Sequence, residues 1–183
     1  DEGKKRAYET VQQKNPSLSE EEKQHIAEVV GIGAIKYADL SQNRQSPIVF
    51  EWDKILSFEG NTAPYLQYSY ARIQSILNKA KELGKEIQED AKIILQNKHE
   101  KSLATYMTIF PLSVLKAAET YKPNFIADYL YDLSKKINSF YNNCPILNQE
   151  DEILQSRACL AKKAGILIQQ GLSLLGIKTL ERM

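Results

Sequence analysis

Leu154, Ala158, Ala161, Ala164, Ile168, Leu172 and Leu175 recur at steps of three and four along residues 150–175. At about 100° per residue these side chains form one continuous stripe, a pattern that an α-helix with one buried face can use and a strand cannot. Gly176 then supplies a C-terminal stop. The same period runs through most of the chain. DEGKKRAYETVQQKN reads as a helix ended by Asn15 and Pro16. Ser19 with Glu22 makes a capping-box pattern that opens a second helix reaching about Leu40. The acidic run Glu20, Glu21 and Glu22 suits the positive end of that helix better than a metal site. Residues 41–63 carry turn formers around Pro47 and Gly60 and a short apolar run from Ile48 to Phe50, which predicts a long structured loop. Thr62 is placed to cap a further helix, with Pro64 in its first turn where the missing N–H costs nothing, and the pattern carries it to about Gln88. Helices over about 91–98, 101–119 and 123–142 complete the reading. The expected fold is an all-α bundle.

With 183 residues, of which 43% are hydrophobic and 26% charged, the chain can bury one substantial core. Lys and Arg number 24 against 23 Asp and Glu, so the field of the whole molecule is weak and binding of a polyanion must rest on local groups. Cys144 and Cys159 match neither a zinc pattern nor a disulfide framework, which predicts inert thiols in a reducing compartment. The longest uncharged runs, Ser102 to Leu115 and Ala164 to Ile177, fall short of the ~20 residues that span a bilayer, so no membrane partner is expected. The chain opens on Asp1 already in a helical pattern, which reads as a fragment of something longer.

LSFEGNTAPYLQYSYARIQ, residues 56–74, concentrates three tyrosines and an arginine behind a glycine-bearing turn. On a helix, Leu66, Ile73, Leu77 and Ala80 make an apolar stripe, and Tyr65, Tyr68 and Arg72 share a neighbouring one at the edge of the core. Two readings stand: tyrosines at a helix border as ordinary amphipathic packing, or rings and a guanidinium as a platform for flat ligands such as unstacked bases. Gly31-Ile32-Gly33 lacks the strand and third glycine of a phosphate loop and points to close helix packing. His25 and His99 have no partner at ligand spacing and are expected at the surface. No catalytic or metal constellation is visible.

Three blocks in order, GIGAIKYADLSQNRQSPIVFEW, LSFEGNTAPYLQYSYARIQSI and the closing LLGIKTLERM, give the chain its resemblance. From about residue 19 to 183 it resembles the C-terminal anticodon-binding domain of bacterial arginyl-tRNA synthetase. The resemblance implies a helical bundle of the class I synthetase anticodon-binding type over residues 19–183, with residues 1–18 as the connection from a catalytic domain. Neither an HIGH-like nor a KMSKS-like signature is present. ATP and arginine would therefore bind outside this chain, which by itself holds no cofactor and is expected to be inactive. The full-length enzyme attaches arginine to its tRNA with ATP; a cytoplasmic location and a monomer are expected. The implied tRNA site begins with Ser57, Phe58, Glu59, Gly60, Asn61 and Thr62, an Ω-loop against the anticodon. Tyr65, Tyr68 and Arg72 of the PYLQYxxxR pattern lie beside it, the terminal Met183 approaches it, and Tyr141 is carried over from the same family. Leu180 stands where the usual ending Pro-Glu-Arg-Met has proline. The tail from Lys178 to Met183 is expected to fold back toward Tyr65 and Tyr68.

Every arginine codon has G in the middle, so the middle anticodon base is always C while its 3′ neighbour is G or U. A reader of that anticodon needs one strict pocket and one tolerant one. Splayed bases are read by stacking on aromatic faces, at about 1–3 kcal/mol per base, and by hydrogen bonds to their edges. The alternative function is a helical protein-interaction scaffold without RNA binding, in which the tyrosine edge is a hot-spot patch for another protein.

Overall fold

The computed structural model describes residues 1–183 except 44, 46 and 48. Its described residues form helices only: α1 (Glu2–Lys14), α2 (Glu20–Leu40), α3 (Trp52–Ile55), α4 (Ala63–Glu82), α5 (Lys98–Met107), α6 (Phe110–Thr120), α7 (Asn124–Asn143) and α8 (Asp151–Leu174). Helices α4, α7 and α8 pack on one another, α5 and α6 cover α7, and α2 lies against α4 with α1 along its outer side. The stripe read from the last helix is buried throughout, from Leu154 to Leu175. It meets Leu66 and Ile73 of α4 and Leu130 and Leu133 of α7 in the main core. Each such leucine contributes about 1.5–3 kcal/mol by leaving water. A second, smaller core joins Ala7 and Val11 of α1, Ile26, Val29 and Val30 of α2, and Leu180 of the tail.

The local signals at two helix starts hold in detail. The Ser19 hydroxyl accepts from the Glu22 N–H, and the Glu22 carboxylate accepts from the Ser19 N–H. Thr62 caps α4 by accepting from the Tyr65 N–H at 3.2 Å. Elsewhere the structure corrects the reading. Helix α4 stops at Glu82 and not near Gln88, because Gly84 turns the chain away with φ of +72°. Of the helix expected over 91–98 only Lys98 is helical, as the first residue of α5. Residues 85–97 instead run as an irregular strap whose backbone is satisfied by α8: Gln155 Oε1 accepts from the Gln88 N–H at 2.9 Å, and Ser156 Oγ from the Ile94 N–H at 2.8 Å. Ile87, Ile93 and Leu95 pin the strap to the main core. The single helix expected over 101–119 is two, broken at Thr108 and Ile109. Pro111 cannot donate to the carbonyl one turn back, and its ring crowds that turn. The described residues of the segment expected as a loop over 41–63 are non-helical apart from the short α3 and Ala63, which opens α4, and the Ile48 end of the predicted apolar run lies outside the described residues.

The Gly31-Ile32-Gly33 sequence resolves into two close approaches. A Cβ on Gly31 would stand 2.6 Å from the Gly3 carbonyl oxygen, so α1 can lie on α2 only because Gly31 has none. A Cβ on Gly33 would meet Gln67 Nε2 at 2.9 Å. That vacated space lets the fully buried Gln67 reach across and donate to the Lys178 carbonyl at 2.8 Å. Lys36 Nζ adds a bond to the Gly176 carbonyl at 2.6 Å. Together with buried Leu180, these contacts turn the C-terminal tail back across α4. Among the described residues, no helix is long and apolar enough to cross a membrane.

Candidate functional site

The start of α4, the C-terminal half of α7 and the returning tail meet around Arg72. Its guanidinium lies over the Tyr68 ring at 4.8 Å and over the Tyr141 ring at 4.7 Å. Nη2 donates to the Tyr68 hydroxyl at 3.2 Å, and Nη1 to Asn138 Oδ1 at 3.0 Å. The same Asn138 amide donates through Nδ2 to the Tyr65 hydroxyl at 2.7 Å. Tyr65 and Asn138 therefore fix the plane and position of the guanidinium from behind, and all partners of Arg72 are neutral. In front of it opens a cleft of about 440 Å³, walled by Tyr68, Arg72, Tyr141, Leu147, Arg182 and Met183. Among the described residues, Glu181 is the one acidic side chain on its wall, against Arg72, Lys79 and Arg182. A nearly neutral chain thus carries a local excess of positive charge beside two aromatic faces.

The tyrosines of the stretch divide between the core and the cleft. Tyr70 is 5% exposed and belongs to the core, whereas Tyr68 is 39% exposed and shows a ring to solvent. Tyr65 is half-buried, edge-on to Tyr131 with ring centroids 5.9 Å apart, and acts in the cleft only through Asn138. The tail does fold back as expected as far as Tyr68: Met183 packs beside the second core and lines the cleft with it.

The 57–62 turn is well built. Thr62 Oγ1 donates to the Ser57 carbonyl at 2.6 Å, Ser57 Oγ accepts from the Glu59 N–H at 3.0 Å, and Gly60 takes the left-handed conformation the turn requires, with φ of +82°. The Tyr37 hydroxyl donates to Asn61 Oδ1 at 2.6 Å and ties the turn to α2; burial pushes that hydroxyl far above the ordinary tyrosine range. The turn does not act as one surface, however. Ser57, Glu59, Gly60, Asn61 and Thr62 border a separate hollow beside Ser41 at the end of α2. Phe58 alone points the other way, where its ring meets Tyr68 edge-on at 6.3 Å.

Sequence reasoning missed Asn138, although its place three residues before Tyr141 puts it on the same face of α7. It also missed Lys14, whose Nζ lies 4.3 Å from the centre of the Phe58 ring and which no local pattern marks. His25 is exposed as expected, but His99 is half-buried, with Nδ1 2.9 Å from the Ser139 hydroxyl. Both cysteines are buried and unpaired, and burial pushes the Cys144 thiol up.

Comparison with known proteins shows what the chain is similar to. Residues 66–183 match the sequence model of the family described as DALR anticodon binding domain, and residues 1–52 match that of tRNA synthetases class I (R), catalytic domain. An arginine–tRNA ligase of Fusobacterium nucleatum subsp. nucleatum is 67% identical over 183 residues, which are 100% of this chain and 32% of that protein. One from Pseudomonas putida is 50% identical over 184 residues, covering 100% of this chain and 31% of the ligase. The chain thus spans about a third of the length of the curated relatives it matches. Among solved structures, Thermus thermophilus arginyl-tRNA synthetase superposes with a TM-score of 0.90 at 33% identity, covering 100% of this chain and 31% of that one. The Plasmodium falciparum arginyl-tRNA synthetase gives 0.86 at 29%, covering 100% and 32%.

Proposed function

Because the chain belongs to the DALR anticodon binding domain family and its matched relatives are arginyl-tRNA synthetases, we propose that the cleft around Arg72 reads the anticodon of arginine tRNA. The observation that carries this reading is a guanidinium held between two tyrosine rings by neutral partners alone. Such an arrangement offers a base two aromatic faces to stack on and a charged, planar donor for its edge or its phosphate. Met183 supplies a flexible apolar wall that fits an irregular outline, and Arg182 and Lys79 add charge along the backbone path. Phe58 extends the aromatic surface beyond Tyr68. Tyr65 serves as support for Asn138 and, through it, Arg72. The rest of the turn, Ser57, Glu59, Gly60, Asn61 and Thr62, holds Phe58 in place and borders the loop of the bound RNA.

In the full-length protein, the part preceding this domain binds ATP and arginine and performs the ligation. The enzyme is cytoplasmic and works as a monomer, and the domain selects the tRNA. Residues 1–18 connect the two parts. Arginine-dependent exchange of pyrophosphate into ATP is absent from the 183-residue chain alone, and detectable exchange would overturn that division of labour.

The test is binding of arginine tRNA against a copy with U in place of C at the middle anticodon position. The chain binds the first and discriminates against the second, and Arg72→Ala reduces both the affinity and the discrimination. If the two tRNAs bind equally, or neither binds, the tyrosine edge reverts to the second reading, a patch for a protein partner.

A further inference from the structure

Tyr68 stands on the wall of the reading cleft, and Gln67, the residue before it on α4, does not. Gln67 is 0% exposed and points between α2 and the returning tail. Glutamine is mostly found at protein surfaces, so a wholly buried one on a core helix calls for a reason. Its Nε2 donates to the Lys178 carbonyl at 2.8 Å and, more weakly, to the Val29 carbonyl at 3.4 Å, while Oε1 meets no donor among the described residues. An acceptor buried in this way costs free energy that an apolar side chain of like length does not. Helix α2 nevertheless makes room for the amide: a Cβ on Gly33 would stand 2.9 Å from Nε2 and 3.1 Å from Ile177 Cγ2. The side chain and the gap that admits it converge on one main-chain oxygen of the tail.

That oxygen lies where the tail needs a direction. Ile177, Leu180 and Met183 turn inward at every third position, with exposed Lys178, Glu181 and Arg182 between them. Ile177 packs in the main core, Leu180 in the second core and Met183 against it. Such contacts hold the tail down, but they are non-directional and let it slide or roll. A hydrogen bond of 2.8 Å to a main-chain carbonyl prevents both. A second bond, from Lys36 Nζ to the Gly176 carbonyl, comes from an exposed, flexible side chain. We propose that Gln67 is a positioning residue for anticodon discrimination: it sets the register in which the tail crosses α4, and so the place of Glu181, Arg182 and Met183 on the cleft wall, without touching the RNA. This role rests on the anticodon reading of the cleft. Its mark is that stability and discrimination part company, because the amide that orients the tail is not the side chain that would stabilise the core best.

Gln67→Met keeps the length of the side chain but cannot donate to the Lys178 carbonyl, and Gly33→Ala disturbs the same link from α2. Each is compared with the parent 183-residue chain in three measurements: denaturant unfolding, release of Met183 by a carboxypeptidase, and binding of arginine tRNA with C or with U at the middle anticodon position. Gln67→Met unfolds at the parent's midpoint or above it and yields Met183 faster. Its preference for C over U falls roughly three- to tenfold, the worth of one hydrogen bond, while its affinity for the C form changes less. In a chain already lacking Arg182 and Met183 the same substitution changes the preference no further, since the groups it positions are gone. Gly33→Ala moves release and preference in the same direction. A parent that prefers C, with both variants keeping that preference, would overturn the positioning role and leave the cleft as the reader. An equal loss of preference in the truncated chain would also overturn it, because Gln67 would then be acting through α4 and Tyr68. If the parent shows no preference at all, the anticodon reading falls and takes this role with it.

Discussion

Arg157 and Arg72 each make two hydrogen bonds to distinct partners, and the fold holds them differently. Arg157 is 8% exposed; its Nε donates to Glu100 Oε1 at 2.7 Å and its Nη1 to the Pro145 carbonyl at 2.7 Å. Glu100, 1% exposed, also accepts from the Gln96 and Asn97 N–H groups, so the pair closes the start of α5 onto α8 with charge and hydrogen bonds satisfied together. Arg72 is fixed just as definitely, but by an amide oxygen, a phenol and two ring faces. Among the described residues it forms no ion pair with a carboxylate. Charge cancelled in the interior serves as a structural tie, and charge positioned by neutral groups at a cleft stays available to an anion.

Breaking the buried pair gives the largest expected effect. Glu100→Ala leaves Arg157 uncompensated and two backbone donors without their acceptor, and it costs about 3–5 kcal/mol in a denaturant-unfolding measurement. Arg72→Ala changes the same measurement by less than about 1 kcal/mol, because it leaves a half-open cleft and no orphaned charge. Comparable losses from both would erase the distinction. The pair also has a pH signature. Burial raises the Glu100 pKa, but the bonds from Asn97, Arg157 and Gln96 outweigh it and hold the carboxyl below its ordinary value. The contribution of a group lowered in this way is full above the ordinary carboxylate range and is lost as pH falls through the lowered value. Acid unfolding of the parent is therefore steeper than that of Glu100→Gln, which has no such proton to take up.

For tRNA affinity the order reverses. Arg72→Ala weakens binding by about 1–3 kcal/mol with helix content unchanged. Arg72→Lys recovers little of it, since an ammonium keeps the charge but has no planar face to lie between Tyr68 and Tyr141. Asn138→Ala frees the guanidinium without removing it and costs less, about 1 kcal/mol, the value of one positioning hydrogen bond. A filter-binding or fluorescence titration of the three variants orders them. An Asn138 variant as weak as Arg72→Ala would mean that the amide itself touches RNA.

Much of this contrast was legible in the chain and some of it was not. The buried stripe of α8, the Ser19–Glu22 box and the Thr62 cap are short-range patterns, and they hold because nothing distant competes with them. The stretch 85–97 carries a helical pattern but no cap until Asn97, and its backbone is claimed by Gln155 and Ser156 from more than sixty residues away. Tyr65, Tyr68 and Arg72 could be placed at the edge of the core from their spacing alone. Which of the tyrosines would face the cleft depended on Asn138 and on the tail, and sequence separation hides both. Lys14 was invisible for the same reason: it reaches Phe58 only because Gly31 lets α1 lie on α2.

The smallest expected effect comes from the end of the chain, where the contrast between anchoring and reading recurs within a few residues. Buried Leu180, and Lys178 held through its carbonyl by Gln67, fasten the tail, whereas Arg182 and Met183 lie beyond the anchor on the cleft wall. Deleting the last two residues should leave the anchor intact and the unfolding midpoint within error of the parent. What changes is the wall: the thioether beside Tyr68 is gone, and with it a contact of the size sulfur makes with a ring, about 0.3–1.5 kcal/mol. The loss should fall mainly on the preference for C over U at the middle anticodon position, because a missing wall loosens a strict pocket more than it weakens a charged one. Deletion from Leu180 onward removes the anchor as well and lowers stability. An intact preference after loss of Arg182 and Met183 would put the terminal methionine outside the reading site and leave Arg72, with its two rings, to discriminate alone.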